Sequence, residues 1–251
     1  VLKGEEEVYS GSEPLLNYMD YGEGNYKMTL QVTNNSGQVS EVVTRNFTII
    51  PDDEAPEFIA DPMNCDWTTS QDVKLTFIDR LGSGFKNYQY AITDSQEEPD
   101  SYSSPISKDE DTITINEDGI KYLHIIATDN AGNTSRDRVV GPYYIDKTPP
   151  TGTIDYNPKE WVIDEVVLDW NFEDSGIGLQ KVTLPNGQTV EETSSGKYTV
   201  YENGTYNFEA YDKLENHQTI SIQISNIDKI EPIISLSQRT SEWTGETTIV
   251  S

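Results

Sequence analysis

The two histidines are the side chains best suited to acid–base chemistry near neutral pH. His124 lies in a segment that alternates apolar and polar residues, and His217 lies in a polar turn. Neither has the His-Glu-x-x-His spacing of a zinc site, and a Ser-His-Asp triad requires three side chains to meet in space. Acidic residues are so abundant that no single pair of them indicates glycoside hydrolysis. The sequence therefore predicts no catalytic residue and no enzymatic activity.

Cys65 is the only cysteine, and no basic residue stands beside it in the sequence to lower the pKa of its thiol. An inert thiol is therefore predicted. The chain also lacks a glycine-rich phosphate loop, so we expect no cofactor.

Aspartates in predicted turns and linkers are the residues that could bind calcium, which takes six to eight oxygen ligands. Two sets of oxygen-bearing side chains stand near the repeat junctions: Asp129, Asn133 and Asp146, or Asp79 and Asp174. No segment has the Asp-x-Asp-x-Asp-Gly loop, and the nearest, 116–119, lacks the spaced ligands beyond it. Aspartate and asparagine are also ordinary turn formers. We therefore expect no metal site, or only weak calcium binding, and a calcium site at the linkers is the competing interpretation.

Charge is the strongest signal of composition. The 251 residues include 44 acidic and 17 basic ones, for a net charge of −27. Such a charge argues against nucleic acid and anionic membranes as partners, because both require clustered Lys and Arg. No apolar run is long enough to insert into a membrane. The first four residues lead straight into Glu5-Glu6-Glu7, which is unlike a signal peptide. We therefore expect any export signal or wall anchor to lie outside these residues.

A repeat organises the chain. Pro56, Pro150 and Pro232 each end a charged linker, and a tryptophan follows each of them after eleven residues: Trp67, Trp161 and Trp243. The distance between successive prolines is 94 and then 82 residues, which is the size of an immunoglobulin-type domain. We interpret each tryptophan as the cover of one end of its domain, with a platform for sugar stacking as the alternative.

Alternation with a period of two indicates that each repeat is built from half-buried strands. The later half of each repeat alternates, in turn, Met28, Leu30 and Val32; Leu123, Ile125 and Ala127; and Tyr206, Phe208 and Ala210. Polar turns follow at 34–37, 129–133 and 212–216, and return strands are predicted over 39–50, 134–145 and 219–227. No segment has a sustained helical period, so the prediction is all-β, with about seven strands per repeat.

The second repeat allows a specific prediction of its core. Val73, Leu75 and Phe77 alternate with polar residues, and we expect them to face Leu123, Ile125 and Ala127 across two sheets. By the parity of the strands, the neighbouring side chains should face water. Those neighbours are Lys74, Thr76, Lys121 and His124.

The repeat sets the predicted boundaries. Residues 1–54 form the C-terminal half of one repeat, 55–147 and 148–229 are complete domains, and 230–251 open a further repeat. We refer to these ranges as the first, second, third and fourth repeats.

The Asp-Asn-Ala-Gly-Asn turn at 129–133, followed by the linker 145–150, resembles the tandem immunoglobulin-like repeats of large Gram-positive secreted or cell-surface proteins. The resemblance covers most of residues 24–243 and implies immunoglobulin-like (fibronectin III-like) β-sandwich domains in an elongated array. The third repeat departs from the pattern, because Glu215 replaces Gly132, so a differently shaped turn is expected there. The absence of a disulfide also favours a bacterial exoprotein.

The resemblance implies a non-enzymatic spacer or stalk module of a bacterial surface or secreted multi-modular protein. We expect it to be extracellular, either secreted or attached to the cell wall, with neighbouring repeats of the same chain as partners. One alternative is an adhesin module for a host or cell-wall glycan or protein, which would need several exposed aromatics in one repeat. The candidates are Tyr88, Tyr90, Tyr102, Tyr143 and Tyr144. Another alternative is an accessory domain of a carbohydrate-active enzyme, or a virion or appendage protein.

Overall fold

The computed structural model describes residues 1–11, 22–80 and 82–235, and within these ranges it contains eighteen β-strands and no helix. The all-β prediction is therefore confirmed. The chain divides into two compact units, Val1–Asp146 and Lys147–Ser251. Within the described ranges, no helix has the length and apolar character needed to cross a membrane.

The first repeat contributes one antiparallel sheet, called here the first sheet, with the strand order β2-β1-β3-β4. Its strands are β1 Leu2–Lys3, β2 Glu6–Glu7, β3 Gly24–Leu30 and β4 Val43–Ile49. Strands β3 and β4 pair along their whole length, from Gly24 opposite Ile49 to Leu30 opposite Val43. Tyr26 and Phe47 stack on one face of this sheet, with ring centroids 5.4 Å apart.

The second repeat is a complete sandwich of two sheets, with the strand orders β5-β7-β9 and β6-β11-β10-β8. Its strands are β5 Glu57–Asp61, β6 Cys65–Thr68, β7 Gln71–Ile78, β8 Phe85–Thr93, β9 Glu110–Ile115, β10 Gly119–Asp129 and β11 Arg138–Ile145. Alternate residues of β7 and β10 are buried because successive side chains of a strand point to opposite faces. The predicted core is confirmed, since one buried cluster contains Val73, Leu75, Phe77, Leu123, Ile125 and Ala127.

The third repeat has the same two-sheet architecture, with the strand orders β12-β13-β16 and β15-β14-β17-β18. Its strands are β12 Thr151–Asn157, β13 Val166–Glu173, β14 Leu179–Thr183, β15 Thr189–Glu191, β16 Ser195–Val200, β17 Gly204–Asp212 and β18 His217–Ile224. Phe172 and Phe208 are fully buried in its core. Gly196 lies directly opposite Trp170, and a Cβ atom at this glycine would come within 2.5 Å of the indole ring.

Two of the side chains predicted to face water are buried, so the prediction was wrong for them. Lys121 is only 7% exposed, and its ammonium contacts Asp94 at 2.6 Å. Lys121 has the same parity as the buried Leu123 and Ile125, so regular alternation along β10 places it inside, and the outward side assigned to it was wrong. His124 is fully buried although it lies on the outer face, because the segment after β8 folds over it.

The strand assignment predicts that Phe77→Ala costs about 3–5 kcal/mol of unfolding free energy, the usual range for a buried aromatic. Phe77 stacks on Tyr88 with ring centroids 4.6 Å apart, so its removal leaves a cavity. Thr76→Ala is the matched control and should cost less than about 1 kcal/mol. Denaturant unfolding of the full chain measures both variants, and the transition of the third repeat should stay unchanged. Equal costs for the two substitutions would contradict the strand register.

Candidate functional site

A buried aspartate ends β10 and organises the turn that follows it. The side chain of Asp129 is inaccessible to solvent, and its Oδ1 accepts the backbone N–H groups of Gly132 and Asn133 at 2.6 and 2.8 Å. The amide of Asn133 donates to Asp129 Oδ2 at 2.8 Å. Gly132 has a φ of 97°, a conformation that glycine adopts without strain. The carboxylate therefore satisfies backbone donors that the hairpin turn would otherwise leave unpaired.

The same turn recurs in the first and third repeats. Asn34 accepts the N–H groups of residues 36 and 38, and Asp212 accepts those of residues 214 and 216. The expectation of a different turn in the third repeat was wrong. Glu215 adopts the left-handed conformation itself, with a φ of 65°, and its carboxylate lies 3.2 Å from the ammonium of Lys181.

A loop and a linker meet this turn in the second repeat. Asp79, which follows β7, accepts the N–H of Gly84 at 2.6 Å. Asp52, in the linker before β5, accepts the N–H of Ser83 at 2.8 Å through its side chain. Its backbone carbonyl accepts the side-chain amide of Asn133 at 2.8 Å. Hydrogen bonds from the side chain and backbone of Ser83 hold the pKa of Asp52 below its ordinary value.

Three carboxylates converge as a result. Oxygen atoms of Asp52, Asp79 and Asp129 all lie within 4.8 Å of one another, and we call this group the carboxylate cluster. In the third repeat, oxygens of Asp174 and Asp212 also lie within 4.8 Å of each other. Carboxylate oxygens are the ligands that calcium prefers, so these are the residues of the described chain that could hold a divalent cation.

Sequence reasoning identified Asp79, Asp129 and Asn133 but did not include Asp52. A signal for Asp52 was present, because an aspartate stands four residues before each repeat proline, at positions 52, 146 and 228. Asp146 is buried, and its backbone N–H donates to the carbonyl of Thr68 at 2.9 Å. Asp52, which lies near Asp129 in the fold, therefore comes from the linker before the domain. The two residues are far apart in the sequence, so neighbouring residues do not reveal their contact.

His124, on the outer face of β10, is the centre of a buried polar network. Its Nδ1 lies 2.8 Å from a carboxylate oxygen of Asp137, and its Nε2 lies 3.0 Å from the carbonyl oxygen of Ser95. The hydroxyl of Thr93 is also 3.0 Å from Nε2. The network ties the segment after β8 to β10.

The aromatic candidates do not form one exposed cluster. Tyr88 and Tyr143 are fully buried, and their hydroxyls donate to Asp111 and to the carbonyl of Pro62, both at 2.8 Å. The remaining three tyrosines are half-buried: Tyr90, Tyr102 and Tyr144. The several exposed aromatics that the adhesin alternative requires are therefore not found at these positions.

The repeat tryptophans differ in exposure. Trp67 is half-buried and packs on Tyr144 with ring centroids 5.3 Å apart, whereas Trp161 is 71% exposed. The prediction that each tryptophan covers its domain was therefore wrong for Trp161. Tyr144 stands two residues before the linker aspartate Asp146. The residue two before Asp228 in the third repeat is Asn226, which has no aromatic ring. Trp243 lies outside the described residues.

Cys65 is a partly buried side chain that packs against the core of the second repeat. Burial raises the pKa of the Cys65 thiol. A raised pKa reduces the thiolate fraction at neutral pH, and the thiolate is the reactive form.

No family model matches this chain, and no curated protein matches it. Solved structures with similarity include fibronectin(III)-like modules of Clostridium thermocellum CbhA, at 15% identity and a TM-score of 0.29, covering 72% of this chain and 100% of that chain. The FN1–FN3 domains of chicken CNTN1 match at 12% identity and a TM-score of 0.27, covering 78% of this chain and 77% of that chain. Carbohydrate-binding modules from the β-sandwich superfamily match at 13% identity and a TM-score of 0.28, covering 72% of this chain and 88% of that chain. The fold assignment therefore rests on the strand pairing described above.

We expect calcium to bind the carboxylate cluster weakly at most. Three side-chain carboxylates supply about half of the six to eight oxygens that calcium takes, and Asp129 already accepts three N–H groups. Millimolar calcium added after a chelator should therefore raise the melting temperature of the full chain by only a few degrees. A rise of tens of degrees that Asp79→Asn abolishes, and that the exposed control Asp100→Asn keeps, would contradict this prediction.

The two histidines provide a second, paired test. His124→Ala should cost about 3–5 kcal/mol of unfolding free energy, because it removes a fully buried ring and leaves the Asp137 carboxylate, only 12% exposed, without its contact to the imidazole. His217 is exposed and stacks on Tyr211, so His217→Ala should change the free energy by about 0.5 kcal/mol or less. Denaturant unfolding of the full chain measures both. A cost for His124→Ala as small as that for His217→Ala would show that the network does not stabilise the domain.

Proposed function

We propose that the chain is a non-enzymatic spacer within an extracellular multi-domain protein, in which successive sandwich domains hold other modules at a distance. The observation that carries the proposal is the attachment of the linker at Asp52. Its side chain and its carbonyl are hydrogen-bonded to two different loops of the second repeat, at Ser83 and Asn133. A linker held at both loops restricts the joint more than a free chain would.

Separate cores support the same function. The second and third repeats each enclose their own buried cluster, and each cluster includes aromatic side chains from both of its sheets. Domains that fold on their own cores remain intact when they are linked in series. A series of such domains can therefore keep other modules apart without a large interface between neighbouring domains.

The polar chemistry of the chain also fits a structural role. Asp129, Asp212 and His124 have their polar atoms engaged by turns and loops of their own domains. The imidazole of His124 is enclosed, so a substrate has no access to it. The net charge of −27 keeps the chain soluble and disfavours collapse of neighbouring domains on one another. Together with the resemblance noted above, these features favour a secreted or wall-attached bacterial protein.

Small-angle scattering of the full chain tests the proposal. A compact globule of 251 residues would have a radius of gyration of about 18 Å. A spacer should give a value well above this and an interatomic distance distribution with a long tail. A radius of gyration close to that of the compact globule would contradict the spacer function.

The substitution Asp52→Ala tests whether Asp52 holds the linker against the second repeat. The substitution removes the acceptor of the Ser83 N–H, so hydrogen exchange at Ser83 and proteolysis of the linker should both become faster. Asp53→Ala is the matched control, because Asp53 is exposed beside it, and it should leave both rates unchanged. If the two variants behaved alike, the linker would not be held by Asp52.

A further inference from the structure

One edge strand of the third repeat differs in charge from every other strand that the structure describes. Strand β18, His217–Ile224, contains no Asp, Glu, Lys or Arg, whereas each of the other described strands contains at least one. The uncharged run extends from Asn216 to Ile227 and contains neither glycine nor proline, although 24% of the chain is charged. Charged residues and proline are what usually keep an edge strand from pairing with another chain, and β18 has neither.

One edge of β18 pairs with no other strand in the described ranges. The strand is the last of the sheet β15-β14-β17-β18, and it is paired on one side only, with β17. Asp212 donates its backbone N–H to the carbonyl of Asn216, and hydrogen-bonded pairs alternate along an antiparallel ladder. Ile220 therefore bonds to β17, whereas Thr219 and Ser221 direct their backbone N–H and carbonyl groups to the other side. We call that side the free edge.

The corresponding edge is covered in the second repeat. There β11 follows the turn as β18 does, and β6 pairs with its far side, with Tyr143 opposite Cys65. Strand β11 also contains Arg138, a charge of the kind that discourages pairing with another chain. In the third repeat, the matching contact is a single bridge between Val162 and Ile227, which lies beyond the end of β18. Neither device protects the free edge itself.

We propose that β18 pairs with β18 of a second copy of the chain, antiparallel and about a two-fold axis, so that the two sheets become continuous. Each copy has a net charge of −27, and like charges placed opposite each other destabilise a strand pair. The uncharged strand lets two such copies meet without that penalty. The contact is isologous, so it closes at a dimer. This inference goes beyond the spacer function, since it joins two spacers laterally.

The alternation of β18 restricts the register of this pairing. Residues whose backbone groups point to the free edge must bond to the same kind of residue in the second copy. The register centred on Ile220 meets this condition, and it sets Thr219 opposite Ser221 and His217 opposite Gln223. These four side chains are exposed and polar, so they can form hydrogen bonds across the dimer on the outer face of the sheet.

Sedimentation velocity of the full chain tests the proposal. We expect a monomer that converts to a dimer, and to nothing larger, as the protein concentration rises. The contact of two edges is small, so the dimer should form only at high concentration. Salt should tighten the dimer, because it screens the repulsion between two acidic copies. A chain that stays monomeric up to about 1 mM at every salt concentration would overturn the proposal, and the free edge would then take a different occupant.

Paired charges test the strand and its direction. In the variant Thr219→Glu/Ser221→Glu, carboxylates of the two copies stand opposite each other, so association should weaken by about tenfold or more. The variant Thr219→Lys/Ser221→Glu instead places a cation opposite each carboxylate, and it should associate at least as tightly as the original chain. The matched control is Thr189→Glu/Ser195→Glu, which adds the same two charges at exposed positions of β15 and β16 and should leave association unchanged.

Hydrogen exchange identifies the bonds that the dimer forms. The backbone N–H groups of Thr219 and Ser221 should exchange more slowly as the protein concentration rises, whereas that of Ile220, already bonded to β17, should change little. Circular dichroism melting of each variant checks that it remains folded. A dimer that survives Thr219→Glu/Ser221→Glu would overturn the proposal. Loss of the dimer in the folded variant Thr219→Lys/Ser221→Glu would overturn it as well.

Discussion

Burial of a carboxylate at the end of β10 is the interaction on which the architecture of the second repeat depends. An ionised group that leaves water is stable only when its oxygens are hydrogen-bonded. Asp129 meets this requirement through the N–H groups of its own turn. Two asparagines of this turn hydrogen-bond to other segments: Asn130 donates to the loop after β7, and Asn133 donates to the linker. One satisfied carboxylate thus holds a hairpin, a loop and the entry of the chain into the domain.

Closure of the two inner faces is the second requirement, and it separates the complete repeats from the first sheet. In the second and third repeats, strands from the two halves of the sequence bury each other. The first sheet has the same turn and the same hairpin as these domains. Its strands β3 and β4 are paired, and Leu30 and Val43 are exposed among the residues that the structure describes.

Residues that suggest chemistry in isolation have structural roles once they are placed. His124 and Asp137 form a pair that would suit acid–base catalysis if it were accessible, but the segment after β8 encloses the imidazole. Trp67 and Trp161 occupy the same position in their repeats, and within the described ranges Trp67 packs on an aromatic ring whereas Trp161 is exposed. In each case the role of the side chain follows from what surrounds it, and residue type alone is a poor guide.

The sequence by itself determined the repeat, the strands and the side of each sheet that is buried. These features depend on neighbours a few residues apart: alternation places Leu75 and Ile125 inside, and an Asx residue followed by glycine specifies the hairpin at 129–133. Tertiary structure decided what depends on residues distant in the chain. The partner of Asp129 at position 52, the cover over His124 and the asparagine at position 226, where the second repeat has Tyr144 beside Trp67, all lie in segments tens of residues away. Local patterns encode conformation and parity, whereas burial and partnership arise only when the remote segments meet.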